Sequence, residues 1–235
     1  MNKLKKTKQA TISDLKIDCY QSIADAAQDI IDNNIGNGGT AVAINPEKIV
    51  LSRNNEQLYS FLKNSSILYI DGIGVKKLAE IRLGNKLPRI PGCELWLEVV
   101  KKANNLKIFI LGGTDSVISR TKYHLENDYD ANIVGSYHGY FSDNQAIIKM
   151  IKDSNADIVF VALGSPKQEL FISSCRDSGI KSFMMGLGGS FDVFVGANIR
   201  APKVFRDLNL EWFYRYSMQP SRFKRLFHLL NYVKL

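Results

Sequence analysis

The residues able to do chemistry in this chain collect in short runs that each close a β-branched, apolar stretch. They are Asn45-Pro46-Glu47, Asp71-Gly72, Gly112-Gly113-Thr114-Asp115, Gly164-Ser165-Pro166-Lys167-Gln168-Glu169 and Gly186-Leu187-Gly188-Gly189-Ser190-Phe191-Asp192. Glycine lets a backbone come up against a phosphate, and a carboxylate accepts hydrogen bonds from a ribose or a base. Any one of these runs is also an ordinary tight connection that needs Gly or Pro for its geometry. Together on one edge they read as a nucleotide or nucleotide-sugar site. Rival signatures fail. Gly72-Ile73-Gly74-Val75-Lys76-Lys77 opens like a dinucleotide fingerprint, but Lys77 stands where a small residue should bring helix and sheet together. Gly186-Leu187-Gly188-Gly189-Ser190-Phe191 fails in the same way at Phe191, and no Gly-Lys-Ser/Thr phosphate loop occurs. Asp128-Tyr129-Asp130 has a metal-binding D-x-D form but precedes a strand and so belongs to the opposite edge. His124, His138 and His228 lack ligand spacing, so no metal is expected.

These runs need a scaffold that sets them side by side. Short β-branched stretches alternate with helical patterns: Ala41–Asn45 then Pro46–Asn64, Ile67–Asp71 then Gly74–Leu83, Lys107–Gly112 then Ser116–Asn127. Asn132–Ser136, Asp143–Asp153, Asp157–Leu163, Pro166–Asp177 and Lys181–Gly188 continue the series, and the first 40 residues read as a short β or loop segment plus a helix over Ser22–Asn33. Strands apolar along their whole length predict an α/β fold, a Rossmann-like, mostly parallel sheet with helices on both faces. In such a sheet ligands bind beyond the carboxyl ends of the strands, where the polar runs fall.

With 45% hydrophobic and 23% charged residues in 235, the chain has the composition of a globular protein. Disorder, collagen and disulfide scaffolds are excluded, since Cys19, Cys93 and Cys175 are far apart and lack C-x-x-C spacing. No apolar run approaches the roughly 18 residues of a membrane span, and polar Thr11-Ile12-Ser13-Asp14 stands where a signal peptide needs its apolar stretch. A reducing cytoplasm is the expected compartment.

Of the net charge of +8, the residues from Gly196 onward carry +6 (eight Lys and Arg less Asp207 and Glu211), interleaved with Phe205, Trp212, Phe213, Tyr214, Tyr216, Phe223, Phe227 and Tyr232. Either this is a helix packed on the core with a solvated basic face, or the tail meets an anionic surface. Nucleic acid ranks below lipid because no DNA or RNA module accompanies it. The expected organisation is a core over 1–195 and a basic aromatic appendage over 196–235.

Several longer runs resemble the WecG/TagA/CpsF glycosyltransferases: Ala43-Ile44-Asn45-Pro46-Glu47-Lys48, Asp71-Gly72-Ile73-Gly74-Val75, Pro88-Arg89-Ile90-Pro91-Gly92 and Asn132-Ile133-Val134-Gly135-Ser136. So do Gly139-Tyr140-Phe141, Ala162-Leu163-Gly164-Ser165-Pro166-Lys167-Gln168-Glu169, Gly188-Gly189-Ser190-Phe191-Asp192 and Arg200-Ala201-Pro202. Leu210-Glu211-Trp212-Phe213-Tyr214-Arg215 and Gln219-Pro220-Ser221-Arg222 extend the likeness into the tail.

The resemblance implies a bacterial, inverting, metal-independent enzyme without a cofactor. Such an enzyme moves N-acetylmannosamine or its uronic acid from a UDP donor to GlcNAc on undecaprenyl diphosphate for surface polysaccharide. It also implies a C-terminal appendage docked on anionic lipids at the cytoplasmic face of the inner membrane, and a tendency to self-associate.

By the same resemblance Asp71 is the catalytic base, the alternative being a helix N-cap. Asn45, Gly112, Gly113, Thr114, Ser165, Lys167, Gln168, Glu169 and Gly189 are the expected donor contacts. Tyr140 either stacks on uracil or is a core tyrosine, and Asp192 either accepts from the ring N–H or caps a loop. Arg89, Arg200, Arg215, Arg222, Lys224 and Arg225 are the expected cations for diphosphate, acceptor and membrane, a role to which the planar guanidinium is suited. Some family members carry Thr two residues before Asn-Pro-Glu, where this chain has Ala43. Competing readings are another nucleotide-dependent enzyme on a similar sheet, such as an oxidoreductase or methyltransferase, and a non-catalytic lipid-binding module.

Overall fold

A computed structural model of the chain describes residues 8–199, 201–202, 204–205 and 213–214. Among them, eight strands form one sheet: β1 (Lys8–Ile12), β2 (Leu15–Cys19), β3 (Thr40–Ile44), β4 (Ile67–Ile70), β5 (Ile108–Gly112), β6 (Ile133–Tyr137), β7 (Ile158–Ala162) and β8 (Phe183–Gly186). Their order is β1-β2-β4-β3-β8-β7-β5-β6, and every pairing is parallel except β1 with β2. This is the expected doubly covered α/β sheet.

The opening segment is a hairpin. Ser13 and Asp14 both take positive φ (48° and 62°), as a two-residue turn between twisted strands requires. The strand β2 joins β4 at one register pair, Asp18 with Tyr69, and the Asp18 side chain supplies what the short ladder lacks. Its Oδ2 accepts from the Leu68 N–H (2.9 Å) and its Oδ1 from Gln9 (2.8 Å).

One face of the sheet is covered by α1 (Ile23–Asn33), α5 (Gly92–Lys102), α6 (Asp115–Asp128) and α9 (Ser190–Phe194). Trp96 of α5 is their keystone, edge-on to Phe160 of β7 (5.6 Å), Phe191 (5.5 Å) and Phe194 (5.2 Å). The other face carries α2 (Pro46–Arg53), α3 (Glu56–Asn64) and α4 (Ile73–Leu83) over β3 and β4, and α7 (Asn144–Asp153) and α8 (Lys167–Asp177) over β5, β7 and β8. Phe61 of α3 packs against both groups and joins them.

The expected single helix over 46–64 is two. Asn55 takes an extended backbone and accepts from the Leu58 N–H (2.9 Å), so it starts a new helix instead of continuing the old one. The helix α5 was not expected, although Leu95, Trp96, Val99 and Val100 have the spacing of a buried helical face. The Pro88–Pro91 punctuation hid it. Of the expected appendage, residues 196–199 and the short pieces above are described. Arg200, Arg215, Arg222, Lys224 and Arg225 lie outside the described residues. Among the described residues no helix is long and apolar enough to cross a membrane.

Candidate active site

Every donor or catalytic residue expected from the sequence ends or follows a strand at the carboxyl edge. Asn45 follows β3 and caps α2, its Oδ1 accepting from the Lys48 N–H at 2.8 Å. Asp71 follows β4. The N–H groups of both Asp71 and Gly72 donate to the Ile44 carbonyl (3.1 Å each), fastening the end of β4 to the end of β3. On the other side the Ile90 N–H donates to the Ile70 carbonyl (2.7 Å), so the stretch bearing Arg89 runs beside Asp71. A Cβ at Gly72 would stand 2.8 Å from both Asn45 Cβ and Pro46 Cδ, so only glycine allows this approach. The cap of α4 is Gly72, with no side-chain hydrogen bond, so Asp71 is not a helix cap.

Behind Asp71 the Tyr69 hydroxyl is buried, without a hydrogen-bond partner among the described residues, and lies where a Gly92 Cβ would be 2.8 Å away. Burial pushes its pKa well up, and the charges of Asp71, Cys93 and Glu169 add to this.

The glycines after β5 are explained by packing. A Cβ on Gly112 (φ +135°) would collide with the Ala162 carbonyl, and one on Gly113 (φ +69°) would meet Val117 Cγ1 at 2.6 Å. Thr114 caps α6 by accepting from the Val117 N–H (3.3 Å). The turn after β6 is tied back to these glycines, Gly139 N–H donating to the Gly113 carbonyl (2.8 Å), and Lys167 closes it from α8. Its Nζ donates to the Gly139 carbonyl (3.2 Å) and sits 5.0 Å over the Phe141 ring. Tyr140 is 76% exposed, so it is no core tyrosine. Asp192 lies in the first turn of α9, three residues past the helix cap at Gly189. The strand ends that carry Tyr140 and Asp192 are separated by β5 and β7.

The run after β7 divides. Lys167 is exposed, whereas Gln168 and Glu169 are buried (3% and 1%). Glu169 Oε1 accepts from Lys48 Nζ of α2 at 2.6 Å and from Gln168 Nε2 at 3.0 Å, and Gln168 Oε1 accepts from the Gly188 N–H at 2.8 Å. Burial works to raise the Glu169 pKa. The Lys48 charge, with hydrogen bonds from Lys48 and Gln168 and the nearby Ser165 hydroxyl, outweighs it and holds the carboxyl below its ordinary value. Glu169 Oε2 and Ser165 Oγ are both buried and neither makes a hydrogen bond of good geometry, although the hydroxyl is near enough to favour the charged carboxylate. The sequence reading passed over Lys48 and Tyr69. Both sit inside runs named above, but the contact of Lys48 depends on a partner 121 residues away, and the burial of Tyr69 depends on the packing of the sheet.

Asp128-Tyr129-Asp130 closes α6 and leads into β6, at the amino edge as expected, and among the described residues no three His, Cys, Asp or Glu side chains group to hold a metal ion. Clefts lined by Ile31, Ile35 and Asn104, and by Lys16, Asp18 and Lys63, lie away from the rim.

A comparison of the chain with known protein families matches the one described as the glycosyl transferase WecG/TagA/CpsF family, over residues 10–235.

Proposed function

The chain belongs to the WecG/TagA/CpsF family of glycosyltransferases, and from that premise we propose that it moves a sugar of the N-acetylmannosamine or N-acetylmannosaminuronic acid type. The donor is the UDP-sugar, and the acceptor is a GlcNAc-type sugar on undecaprenyl diphosphate, for bacterial surface polysaccharide. The observation that carries the reading is the carboxylate of Asp71, held at the junction of two strand ends and not used as a helix cap. A base so placed takes the proton of the acceptor hydroxyl as that oxygen attacks the anomeric carbon opposite the leaving UDP, which inverts the centre. Proton removal and bond formation coincide, so no charged alkoxide has to form in the crevice.

The departing diphosphate gains charge that must be met by fixed donors. In this reading no metal ion is required. Arg89 beside Asp71, the exposed Lys167 ammonium and the appendage cations Arg200, Arg215, Arg222, Lys224 and Arg225 supply the positive charge. Exposed Tyr140 offers a ring for the uracil. Peripheral docking at the cytoplasmic face of the inner membrane is supported by the basic tail and by exposed Ile199, Val204 and Phe213. Each Lys or Arg near an anionic leaflet contributes about 1 kcal/mol. The same apolar side chains suit self-association off the membrane.

The test is UDP release across a matrix of UDP-sugars and short-chain prenyl-diphosphate acceptors, with and without chelator. Release with one donor and a GlcNAc acceptor, indifferent to chelator, is expected. No release from any pair, or release abolished by chelator and restored by a divalent cation, refutes the reading.

A further inference from the structure

The helices that follow β3 and β8, α2 and α9, lie on opposite faces of the sheet, the arrangement in which a crevice is expected at the carboxyl edge, and the two strands share little ladder. Their register consists of Thr40 with Met184 and Ala41 with Met185, both near the start of β3. The amino end of this junction is reinforced by Arg176, which donates to the Gly39 carbonyl (2.8 Å) and the Ile180 carbonyl (2.7 Å). At the carboxyl end, where the ligand site lies, the ladder has run out. There Lys48 of α2 reaches Glu169 of α8 at 2.6 Å, with side chains 6% and 1% exposed.

We propose that Lys48 and Glu169 are positioning residues that hold the Gln168 amide, and through it the Gly188 N–H, in place across this crevice. The chain of contacts is directional. Lys48 Nζ and Gln168 Nε2 both donate to Glu169 Oε1, so the Gln168 amide must present its oxygen to the Gly188 N–H at 2.8 Å. Gly186 has no side chain to obstruct this: a Cβ there would stand 2.6 Å from Gln168 Nε2. The brace thereby sets the turn Leu187-Gly188-Gly189 after β8 against the Asn45 end of β3. Lys48 holds the carboxylate charged and aimed without meeting substrate itself. A buried ion pair is weak grounds for a stability role, since an apolar pair of similar volume often serves as well, whereas fixing one arrangement of a polar network is a role an apolar pair cannot take over.

This inference rests on the glycosyl-transfer reading for its consequence in catalysis, and the experiment keeps the two separate. Two charge-neutral double variants are compared, Lys48→Met with Glu169→Gln, which keeps an acceptor for Gln168, and Lys48→Met with Glu169→Leu, which does not. Neither leaves an unpaired buried charge. With both folded at closely similar Tm, the Leu variant is expected to lose about 10²-fold in kcat, the loss for a misplacement of about 1 Å, with donor KM little changed. Its Gly188 amide should exchange with deuterium about tenfold faster, the equivalent of one lost hydrogen bond. The Gln variant, which keeps an acceptor for Gln168 but loses the tie from Lys48, should fall between the wild type and the Leu variant in both.

Equal behaviour of the two doubles, or an unaltered Gly188 amide in the Leu variant, overturns the proposal. Should the Leu variant not fold, Gln168→Met, which keeps the ion pair, is read by the same Gly188 exchange, and unchanged exchange there overturns it equally. An inactive wild-type protein would refute the glycosyl-transfer reading alone, because the exchange comparison needs no substrate.

Discussion

Gly72→Ala is the sharpest probe of how Asp71 is placed. The backbone there (φ −87°, ψ 140°) is open to any residue, so the substitution adds no conformational strain and acts through one methyl group. That methyl would lie 2.8 Å from Asn45 Cβ and Pro46 Cδ and 2.9 Å from Asn45 Cα. Ordinary carbon contacts begin near 3.5 Å, so the ends of β3 and β4 must part by about 0.7 Å. Overpacking of this kind costs about 1–3 kcal/mol, and at roughly 2–4 °C per kcal/mol for a chain of this size Tm should fall by about 2–12 °C. Asp71 moves with the strand end, so turnover should drop by about 10- to 100-fold while UDP still binds, since a misplacement near 1 Å costs about 10²-fold. UDP release under saturating donor and acceptor, paired with calorimetric Tm and UDP titration, reads all three. Full turnover in the Ala variant at a lowered Tm would show that the spacing of the two strand ends does not set the base, and the argument for Asp71 would lose its geometric support.

Asp71→Asn removes the base with nearly no change in shape. Folding and UDP affinity should persist while turnover falls by about 10² or more, and near-normal UDP release would remove Asp71 from that role. Asp18→Asn should stabilise the protein at neutral pH. Burial raises the folded-state pKa of Asp18 above its ordinary 3.8 despite the hydrogen bonds from Gln9 and Leu68, so the fold binds a proton that the unfolded chain at the same pH does not. Stability contributed by that proton is lost as pH rises through the raised value, and the neutral amide escapes this loss. The gain in Tm should therefore be largest at neutral pH and shrink as pH falls toward 4; a gain independent of pH would refute the assignment. Truncation before Gly196 should abolish sedimentation with anionic vesicles, and undiminished binding would reject the tail as the membrane contact.

The sheet was legible because its strands are apolar throughout and regularly spaced, and the rim was legible because Asn45 and Asp71 stand immediately after such strands and the glycine runs to Thr114 and Asp192 follow two others. What escaped depends on tertiary proximity. The helix α5 was hidden because its start at Gly92 is marked by Pro91 and not by a side-chain cap, and α9 because five residues are too few to show a period. By the resemblance Gln168 and Glu169 are expected among the donor contacts. Their burial became visible only once Lys48 and Gly188 came to meet them. The same local sequence, polar residues at the opening of α8, serves an exposed Lys167 and two buried neighbours, and helical geometry alone separates them, since adjacent positions point about 100° apart.

That division bears on how a crevice between two weakly laddered strands can hold a reaction to within an ångström. Backbone pairing sets β3 against β8 at two register positions, both in the first half of β3, which leaves Val42–Ile44 without a β8 partner in the ladder. In the proposed site the Asp71 side is fixed by main-chain hydrogen bonds, from the Asp71 and Gly72 N–H groups to the Ile44 carbonyl, and by the absence of a side chain at Gly72. The turn side is fixed by side chains, Lys48 through Glu169 and Gln168 to Gly188. Main-chain ties are lost only with the strand, whereas a side-chain tie is lost with one substitution. Variants that keep the fold and lose turnover should therefore cluster on the turn side, and those that lose both should cluster around Gly72.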